Sequence, residues 1–523
     1  MRKPEKPSPA EADFLFEIDP EPARETMTSW GGVPLLVRAF RSLGLAQSVK
    51  QHVQIKQRQR GYDEASFVES FVILNAVGGD CLDDFERLRE DGGLAEMLGH
   101  EIPSPEAARK FLYQFHDEEK IAEAKQQLPL GQVAYIPGEN PALRGLGQVN
   151  RDLIAGLGQR CPDQKIATVD QDATIIESHK REALCTYEGE RGYQPMLAVW
   201  AETDLILADE FRDGNVTAMQ EPLAVAKAAF AALPATVKEF YYRGDSACHE
   251  HKLIGWLRNE RREDGPEGLI GFAISARMTK PMQQAVQAVE ESTWVSYGKA
   301  DTEVIRECAE VRFVPGEHYE HKDLTPLRYV AVRIRKRQEQ LFADGTAVKH
   351  FAVVTNIGKW TAAKLLEWHR EKAGTIEGVH DVLKNELAAG VLPCGRFGAN
   401  AAWLRLAILT HNVLTALKRL ALPAELLPAR PKRLRFLIFT RRDGWCIMLG
   451  RSYFGCARAP SDWHHGWKRC VCCRSQKCVA WQGDLILSTD YTGPFPPVQR
   501  SCLCRLPETS SFPPMNTGLQ DPD

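Results

Sequence analysis

The sequence lacks a long apolar run. Its richest stretches are broken by Arg405, His411 and Lys418, so none reaches the roughly 18 to 20 apolar residues that cross a bilayer. The first 24 residues carry proline and alternating charges, and they contain no apolar core of signal-peptide length. We therefore expect a cytoplasmic protein that has no membrane partner.

The sequence also lacks an excess of basic charge. Lys and Arg number 66 and Asp and Glu 69, which gives a formal net charge of −3 over 523 residues. This balance excludes a small protein that coats nucleic acid by charge alone, so any site for a polyanion must be local. At roughly 100 to 200 residues per domain, the chain is expected to hold two to four folded units.

Cysteines at metal-ligand spacing are absent from the main body. Six of the 14 cysteines are scattered over residues 1–440, as expected of reduced thiols, and eight lie in the last 83 residues. We prefer the hypothesis that the segment 441–523 is an irregular tail, translated out of frame after about Arg441. The alternative is a zinc site built from His464, His465, Cys470, Cys472, Cys473 and Cys478. The spacing of these residues is not a paired C-x-x-C framework, so the signal for zinc is weak.

The first part of the chain is predicted to be helical. Apolar residues recur at helical spacing from Gly32 to about Leu128, and two helix starts are marked by Asp63 and by Ser104 with Pro105. Residues 1–30 are predicted to be disordered and residues 31–150 to form an all-helical domain. With arginines nearby, these helices suit either a DNA-binding module or a helical bundle that only packs.

The pattern then changes to strands. Predicted strands cover 166–174, 195–200, 205–211 and 239–245, with a turn at Asp204 and a helix over 217–233 before the last strand. A helical crossover allows the first and fourth strands to lie side by side in parallel. The sequence therefore predicts an α/β fold, and the same layout describes the ribonuclease H fold.

Carboxylates follow these two strands at the ends where open α/β sheets place their ligands. Asp172 and Asp245 would meet there, and two close carboxylates need a cation such as Mg²⁺ between them. Asp170 points to the same side of its strand as Asp172, so either could be the first ligand. Glu377 is the candidate third acid, on a predicted helix that also carries Lys384 two turns later. Three such acids suit a two-metal site for phosphodiester chemistry.

These segments carry a resemblance to a known family. Thr168 to Thr174, Glu177 to Arg181, Phe211 to Val216, Tyr242 to Ser246 and Arg370 to Glu377 resemble the DDE transposases of bacterial insertion sequences. They look most like the insertion-sequence family numbered 1380, over about residues 38–442.

The resemblance implies a ribonuclease H-like catalytic core whose metal ligands are Asp172, Asp245 and Glu377, with Asp170 as the alternative first aspartate. It implies Mg²⁺, or Mn²⁺ in its place, and the movement of an element by cutting its terminal inverted repeats. The larger group places Tyr and Arg at fixed intervals before the glutamate. The nearest counterparts in this chain, His369 and Lys372, lie one residue too far upstream.

Two further segments are candidates for DNA contact. The 131 residues between Asp245 and Glu377 are predicted to hold a β-rich insertion, in which Trp294 either stacks on a base or fills the interior, and the run from Arg333 lies on an edge strand. Residues 403–442 hold nine Lys and Arg against one acid, and they overlap a predicted long amphipathic helix over 400–420. They bind phosphate or form a solubilising face. The predicted DNA contacts are Arg243, Arg333, Arg335, His369, Arg370, Lys372, Lys384, Lys432, Arg433 and Arg435.

The prediction is a DNA transposase that acts on terminal inverted repeats and target DNA, assembled as a homodimer on DNA. A nuclease of the same fold and an inactive DNA-binding remnant are the alternatives. The predicted core spans 151–248 and 366–440, interrupted by the insertion at 249–365, and its last part includes the glutamate helix and a helical, basic flank.

Overall fold

The computed structural model describes residues 27–55, 61–299, 303–315, 326–336, 341–342, 346–440, 443–448, 451–456, 467–470 and 478–481. The chain divides into two units, residues 1–482 and 483–523, and all described residues belong to the first. Among them, no single helix is long and apolar enough to span a membrane, although one bent pair, Glu64–Val77 with Leu82–Arg89, passes on length and composition when taken together.

The N-terminal part is helical, as predicted. After a two-residue strand, β1 (Met27–Thr28), the described residues up to 160 form the helices α1 (Val33–Ser42), α2 (Leu45–His52), α3 (Glu64–Val77), α4 (Phe85–Arg89), α5 (Gly92–Leu98), α6 (Pro105–Tyr113), α7 (Glu118–Gln126) and α8 (Pro141–Arg160). Both predicted helix starts are confirmed. Asp63 accepts a hydrogen bond from the backbone of Ser66, and Ser104 accepts one from Ala107.

A nine-stranded mixed sheet forms the centre. The strands of the described chain up to residue 355 are β2 (Ile166–Ala173), β3 (Ile176–Glu177), β4 (Leu184–Cys185), β5 (Arg191–Tyr193), β6 (Met196–Trp200), β7 (Leu205–Glu210), β8 (Glu239–Gly244), β9 (Ile270–Ser275), β10 (Val295–Ser296), β11 (Val304–Val311), β12 (Arg328–Lys336) and β13 (Val348–Thr355). The sheet order is β10-β11-β12-β13-β9-β8-β2-β6-β7, and β3, β5 and β4 form a separate small sheet.

The middle of this sheet has the predicted strand order. β6 and β7 form the antiparallel hairpin, with Asp204 in the turn at φ 61°, and helix α9 (Pro222–Ala232) leads to β8. β8 pairs with β2 in parallel, so that Asp170 lies opposite Arg243 and Gln171 opposite Gly244. The two strands therefore end together, and the next residues that share the sheet edge are Asp172 and Asp245.

The predicted insertion continues the same sheet. β9 pairs in parallel with β8 on one side and antiparallel with β13 on the other, so β10 to β13 extend the sheet beyond the core. Helices α10 (His251–Arg258) and α11 (Lys280–Gln287) lie between these strands in sequence. The prediction of an edge strand at Arg333 was wrong, because β12 pairs with β11 and β13 along its length.

Beyond β13, the described residues up to 440 form the helices α12 (Ala362–Arg370), α13 (Lys372–Glu386), α14 (Phe397–Ala421) and α15 (Pro431–Leu434). The amphipathic prediction for α14 was wrong, because its residues 398–417 are all buried. Several of its polar side chains pair inside the protein. Asn412 bonds both backbone groups of Ile206, and Arg405 forms ion pairs with Asp209 and Glu139. The polar residues of α14 therefore form hydrogen bonds and ion pairs inside the protein, and their spacing does not indicate a side that faces solvent.

Four short strands are described beyond residue 442: β14 (Asp443–Met448), β15 (Arg451–Cys456), β16 (Trp467–Cys470) and β17 (Cys478–Trp481). β14 pairs with β1 and β15, and β16 pairs with β17. The tail thus contains more regular backbone than predicted. The proposed ligands His464, His465, Cys472 and Cys473 lie outside the described residues, and both the frameshift and the zinc hypothesis stay predictions.

Candidate functional site

Two carboxylates meet at the carboxyl end of the parallel pair β2 and β8. Asp172 is partly exposed, and Asp245 begins a short turn by accepting a hydrogen bond from the backbone N–H of Ala247 at 3.0 Å. Burial raises the pKa of Asp245, and the negative charge of Asp172 raises it further. The pair is therefore a concentrated negative site on a rigid sheet edge, which suits a hard cation.

The ammonium of Lys372 supplies positive charge at this site. It lies at the first residue of α13, and its Nζ donates to Oδ2 of Asp172 at 2.7 Å while the side chain is 10% exposed. Burial opposes the charged form, but Asp172 and Asp245 together hold the pKa of Lys372 above its usual value. Lys372 thus pairs with Asp172 in this conformation, whereas the sequence predicted a DNA contact.

We expect Lys372→Met to strengthen divalent-ion binding by about tenfold, a difference of about 1.4 kcal/mol. In this variant an ion no longer has to replace an ammonium beside Asp172, and without an ion the two carboxylates repel each other. Calorimetric titration with Mn²⁺ measures the affinity, and thermal unfolding without metal should show a lower midpoint. Lys364→Met, which removes an exposed lysine of α12, is the matched control. Equal Mn²⁺ affinities for the two variants would contradict the competition.

The other aspartate of the D-x-D segment is an internal anchor. Asp170 is fully buried, and its two oxygens accept from Nε and Nη2 of Arg243 at 2.6 and 2.8 Å. The hydroxyl of Thr375, on α13, donates to the same carboxylate. Asp170 is fully buried on these partners, whereas the side chain of Asp172 is 21% exposed, so the geometry favours Asp172 as the residue that faces a metal.

The R-G-D segment divides into the same two roles. Arg243 is 2% exposed and also donates to the carbonyl of Trp368 at 2.6 Å, so it ties β8 to α12 rather than facing DNA. Gly244 is required by space, because a Cβ there would lie 2.6 Å from the Cβ of Cys248. Asp245 alone reaches the site.

Glu377 lies on the exposed side of α13. Lys384, on the same face, donates to the carbonyl of Ile175 at 3.4 Å, so this face borders the end of β2. The ligand atoms of Glu377, Asp172 and Asp245 do not all lie within 4.8 Å of one another. In the described part of the chain, the group of His, Cys, Asp and Glu whose ligand atoms all lie within 4.8 Å is instead Asp80, Cys81 and Asp84.

Comparison with known proteins identifies a family. A family model described as the transposase DDE domain, group 1, matches residues 19–440. The chain belongs to this DDE transposase family. No curated protein matches it. A solved cryo-electron-microscopy structure of the piggyBac transposase synaptic complex with hairpin DNA is similar, at 11% identity and a TM-score of 0.42, over 79% of this chain and 81% of that one. DDE transposase domains usually use divalent metal ions.

Two histidines border the acid pair of this transposase. Nε2 of His369 donates to the carbonyl of Gly244 at 3.1 Å, and burial lowers the pKa of His369 to about 4. The imidazole is therefore neutral and holds the backbone of Gly244, just before Asp245. His380 is buried on α13, its pKa is also lowered to about 4 by burial, and its Nε2 has no partner among the described residues. No role was predicted for His380, because its spacing matches the apolar face of the helix.

The predicted DNA contacts in the insertion are paired with acids. Arg333 binds Glu291 at 2.6 Å and Glu307 at 2.9 Å, and Arg335 binds Glu307 at 3.0 Å. The guanidinium of Arg333 also lies 4.5 Å from the ring centre of Trp294, which is half-buried. Trp294 thus neither projects freely as a base wedge nor lies in the interior. Binding of phosphate by these arginines would require breaking existing ion pairs.

The basic stretch at 403–442 is also mixed in role. Arg405 is buried, and Arg435 donates to the backbone carbonyls of Asn75, Ala76 and Glu386, where it joins the ends of α3 and α13. Lys432 and Arg433 are exposed, as is Arg370 on α12. Of the predicted DNA contacts after residue 365, these three are the exposed ones and can reach a phosphate backbone.

Proposed function

We propose that this protein is a DNA transposase that cuts the ends of an insertion sequence at terminal inverted repeats and joins them to target DNA. The observation that carries this proposal is the pairing of Asp172 with Asp245 at the end of two parallel strands, with a cationic group already bound. The core strands lie in the order β7-β6-β2-β8-β9. β6 is antiparallel to both of its neighbours, β7 and β2, whereas β2, β8 and β9 are parallel, and this pattern supports a ribonuclease H-like core.

The residues present fit a divalent ion. Asp172 and Asp245 offer carboxylate oxygens, which are the ligands that Mg²⁺ and Mn²⁺ prefer, and Glu377 is the proposed third acid. When bound, such ions activate a water or a 3′-hydroxyl and stabilise the leaving oxygen of a phosphodiester. Lys372 would leave Asp172 and become free to contact phosphate. The neutral His369 would keep the backbone before Asp245 in place during this exchange.

Further parts of the proposal rest on the sequence alone. They are a bacterial insertion sequence similar to the family numbered 1380, a cytoplasmic location and a homodimer assembled on DNA. Lys384 donates to the carbonyl of Ile175 just beyond β2, and Lys432, Arg433 and Arg370 are exposed. The protein would bind phosphates of the terminal repeat through these four side chains.

The test is incubation with labelled duplexes that carry the inverted repeats flanking the gene, with Mg²⁺ or Mn²⁺. Joined product is expected. Cleavage without joining would indicate a nuclease, and a retarded but intact duplex would indicate a binding remnant. In the binding arm, the double variant Lys432→Gln with Arg433→Gln should lower the salt dependence of affinity by about one power of salt concentration for each phosphate that is no longer neutralised. An unchanged dependence would remove these two residues from the interface.

A further inference from the structure

The carboxylate of Glu386 is buried at the last residue of α13. Its side chain is 4% exposed, and a negative charge is unfavourable at the C-terminal end of a helix, where the backbone carbonyls already carry partial negative charge. A buried carboxylate in this place requires partners that offset both the burial and the helix end. Among the described residues, these partners lie at Arg430 and Lys432.

The contacts of Glu386 hold a short helix against α13. Its Oε1 lies 2.6 Å from Nε of Arg430, and its Oε2 accepts a hydrogen bond from the backbone N–H of Lys432 at 2.8 Å. The second contact caps the first turn of α15, whose own N-cap residue, Arg430, makes no side-chain cap. Arg435 donates to the backbone carbonyl of Glu386 as well. Because α15 has four residues, it depends on such tertiary contacts for its position.

One side of α15 is buried, and the other side carries two cations. Lys432 and Arg433 are exposed, and they line an open groove between this helix and the end of α13. The two acids of the same groove, Asp381 and Glu386, pair with Arg430 instead. The groove thus holds three cations against two acids, and its excess of positive charge suits a phosphate backbone.

The other end of α13 lies at the acid pair. Lys372, its first residue, pairs with Asp172. Thr375, in the same first turn, donates to Asp170. The helix is uninterrupted from Lys372 to Glu386, so it rises about 21 Å between them, at about 1.5 Å per residue. Even with the length of a lysine side chain added, this span is shorter than one turn of duplex DNA, which is about 34–36 Å.

We infer that Glu386 is a positioning residue, which holds Lys432 and Arg433 on DNA phosphates within one turn of the scissile phosphate. The inference rests on the proposed function and adds to it the place on the DNA where these two side chains bind. α13 acts as a spacer of fixed length, because its first turn contacts the aspartates of β2 and its last residue holds α15.

The experiment maps the phosphate contacts on the repeat duplex. Each phosphate over two turns on either side of the cut is replaced, one at a time, by an uncharged methylphosphonate, and affinity is measured without metal. Wild type should lose about tenfold in affinity where a phosphate contact is removed, the loss expected of one charge-assisted hydrogen bond. The double variant Lys432→Gln with Arg433→Gln should become insensitive at one or two of these positions, which should lie within one turn of the cut.

Glu386→Ala should act through the same two side chains. It should raise the half-saturating DNA concentration for cleavage in Mg²⁺ about tenfold and leave the rate at saturating DNA within about twofold of wild type, because the acid pair is unchanged. Added to the double variant, it should cost at most about twofold in further affinity, since the contacts that it positions are already lost. Glu425→Gln, at an exposed acid of the same basic stretch, should behave as wild type.

The outcomes separate the two proposals. Absence of cleavage by wild type would overturn the proposed function. Cleavage by wild type, with the positions that depend on Lys432 and Arg433 lying more than one turn from the cut or missing altogether, would overturn the spacing alone. A full tenfold further loss when Glu386→Ala is added to the double variant would show that Glu386 only stabilises the fold, and would overturn its positioning role. Should Glu386→Ala not fold, the maps of wild type and the double variant decide the spacing without it.

Discussion

Asp172→Asn and Asp245→Asn should each reduce cleavage of terminal-repeat DNA on the order of a thousandfold. Either change removes a charged metal ligand, and with it several kcal/mol of stabilisation of the charge that develops at the phosphate. The measurement is single-turnover cleavage of labelled repeat duplexes at saturating Mg²⁺. DNA binding measured without metal should persist, because the substitutions lower the negative charge that faces the backbone.

The two variants should differ in stability. The folded-state pKa of Asp245 is raised, so its carboxylate costs stability once the pH rises through that value. Asp245→Asn removes this cost and should unfold at an equal or higher temperature at neutral pH. Asp172→Asn instead loses the ion pair with Lys372 and should unfold earlier. Asp163→Asn, at an exposed site before the opposite end of β2, is the control for both readouts. A fully active Asp245→Asn protein would refute the assignment.

The strand pattern and the position of the acid pair were predictable from sequence. The predicted order is strand, hairpin, helix and strand, which favours parallel pairing of the first and last strands. Parallel neighbours have their carboxyl ends at the same edge of the sheet. Once β2 and β8 pair, Asp172 and Asp245 must be neighbours, since each follows a registered pair by the same number of residues.

The direction of individual side chains was not predictable. Strand periodicity places Asp170 and Asp172 on one side, but it does not show that Arg243 from β8 and Thr375 from α13 engage the first of them. Likewise, the charge count over 403–442 treats Arg405 and Arg433 alike. Only tertiary packing distinguishes them, because it buries Arg405 and places the partners Asp209 and Glu139 beside it.

The fold of the insertion shows the same limit. A 131-residue gap between acids predicts an inserted unit, yet nothing in the strand composition says whether its strands form a new sheet or extend an old one. β9 is buried over most of its length because it has sheet neighbours on both sides, β8 and β13. Such pairing depends on contacts between residues far apart in sequence, to which local periodicity is insensitive.

The buried pair Asp170 and Arg243 should be among the most costly side-chain contacts to break. Asp170→Ala leaves a guanidinium that is 2% exposed without its bidentate partner, and we expect a loss of about 3–5 kcal/mol in the free energy of unfolding. Arg243→Met should cost a similar amount, since it leaves the Asp170 carboxylate buried and unpaired. Urea unfolding at pH 7 measures both. The double variant should lose less than the sum of the two, with a coupling of about 1–3 kcal/mol.

This cycle also decides which aspartate of the D-x-D segment faces the metal. If Asp170 is an anchor, Asp170→Ala lowers stability while Asp172→Asn lowers cleavage, and the two effects separate. Glu371→Gln, which removes the partner of Arg243 that is 67% exposed, should change stability by at most about 1 kcal/mol. An Asp170→Ala protein as stable as wild type but unable to cleave would reverse the assignment. The metal would then have to reach a carboxylate that Arg243 and Thr375 now hold, so α13 would need to move away from β2 before catalysis.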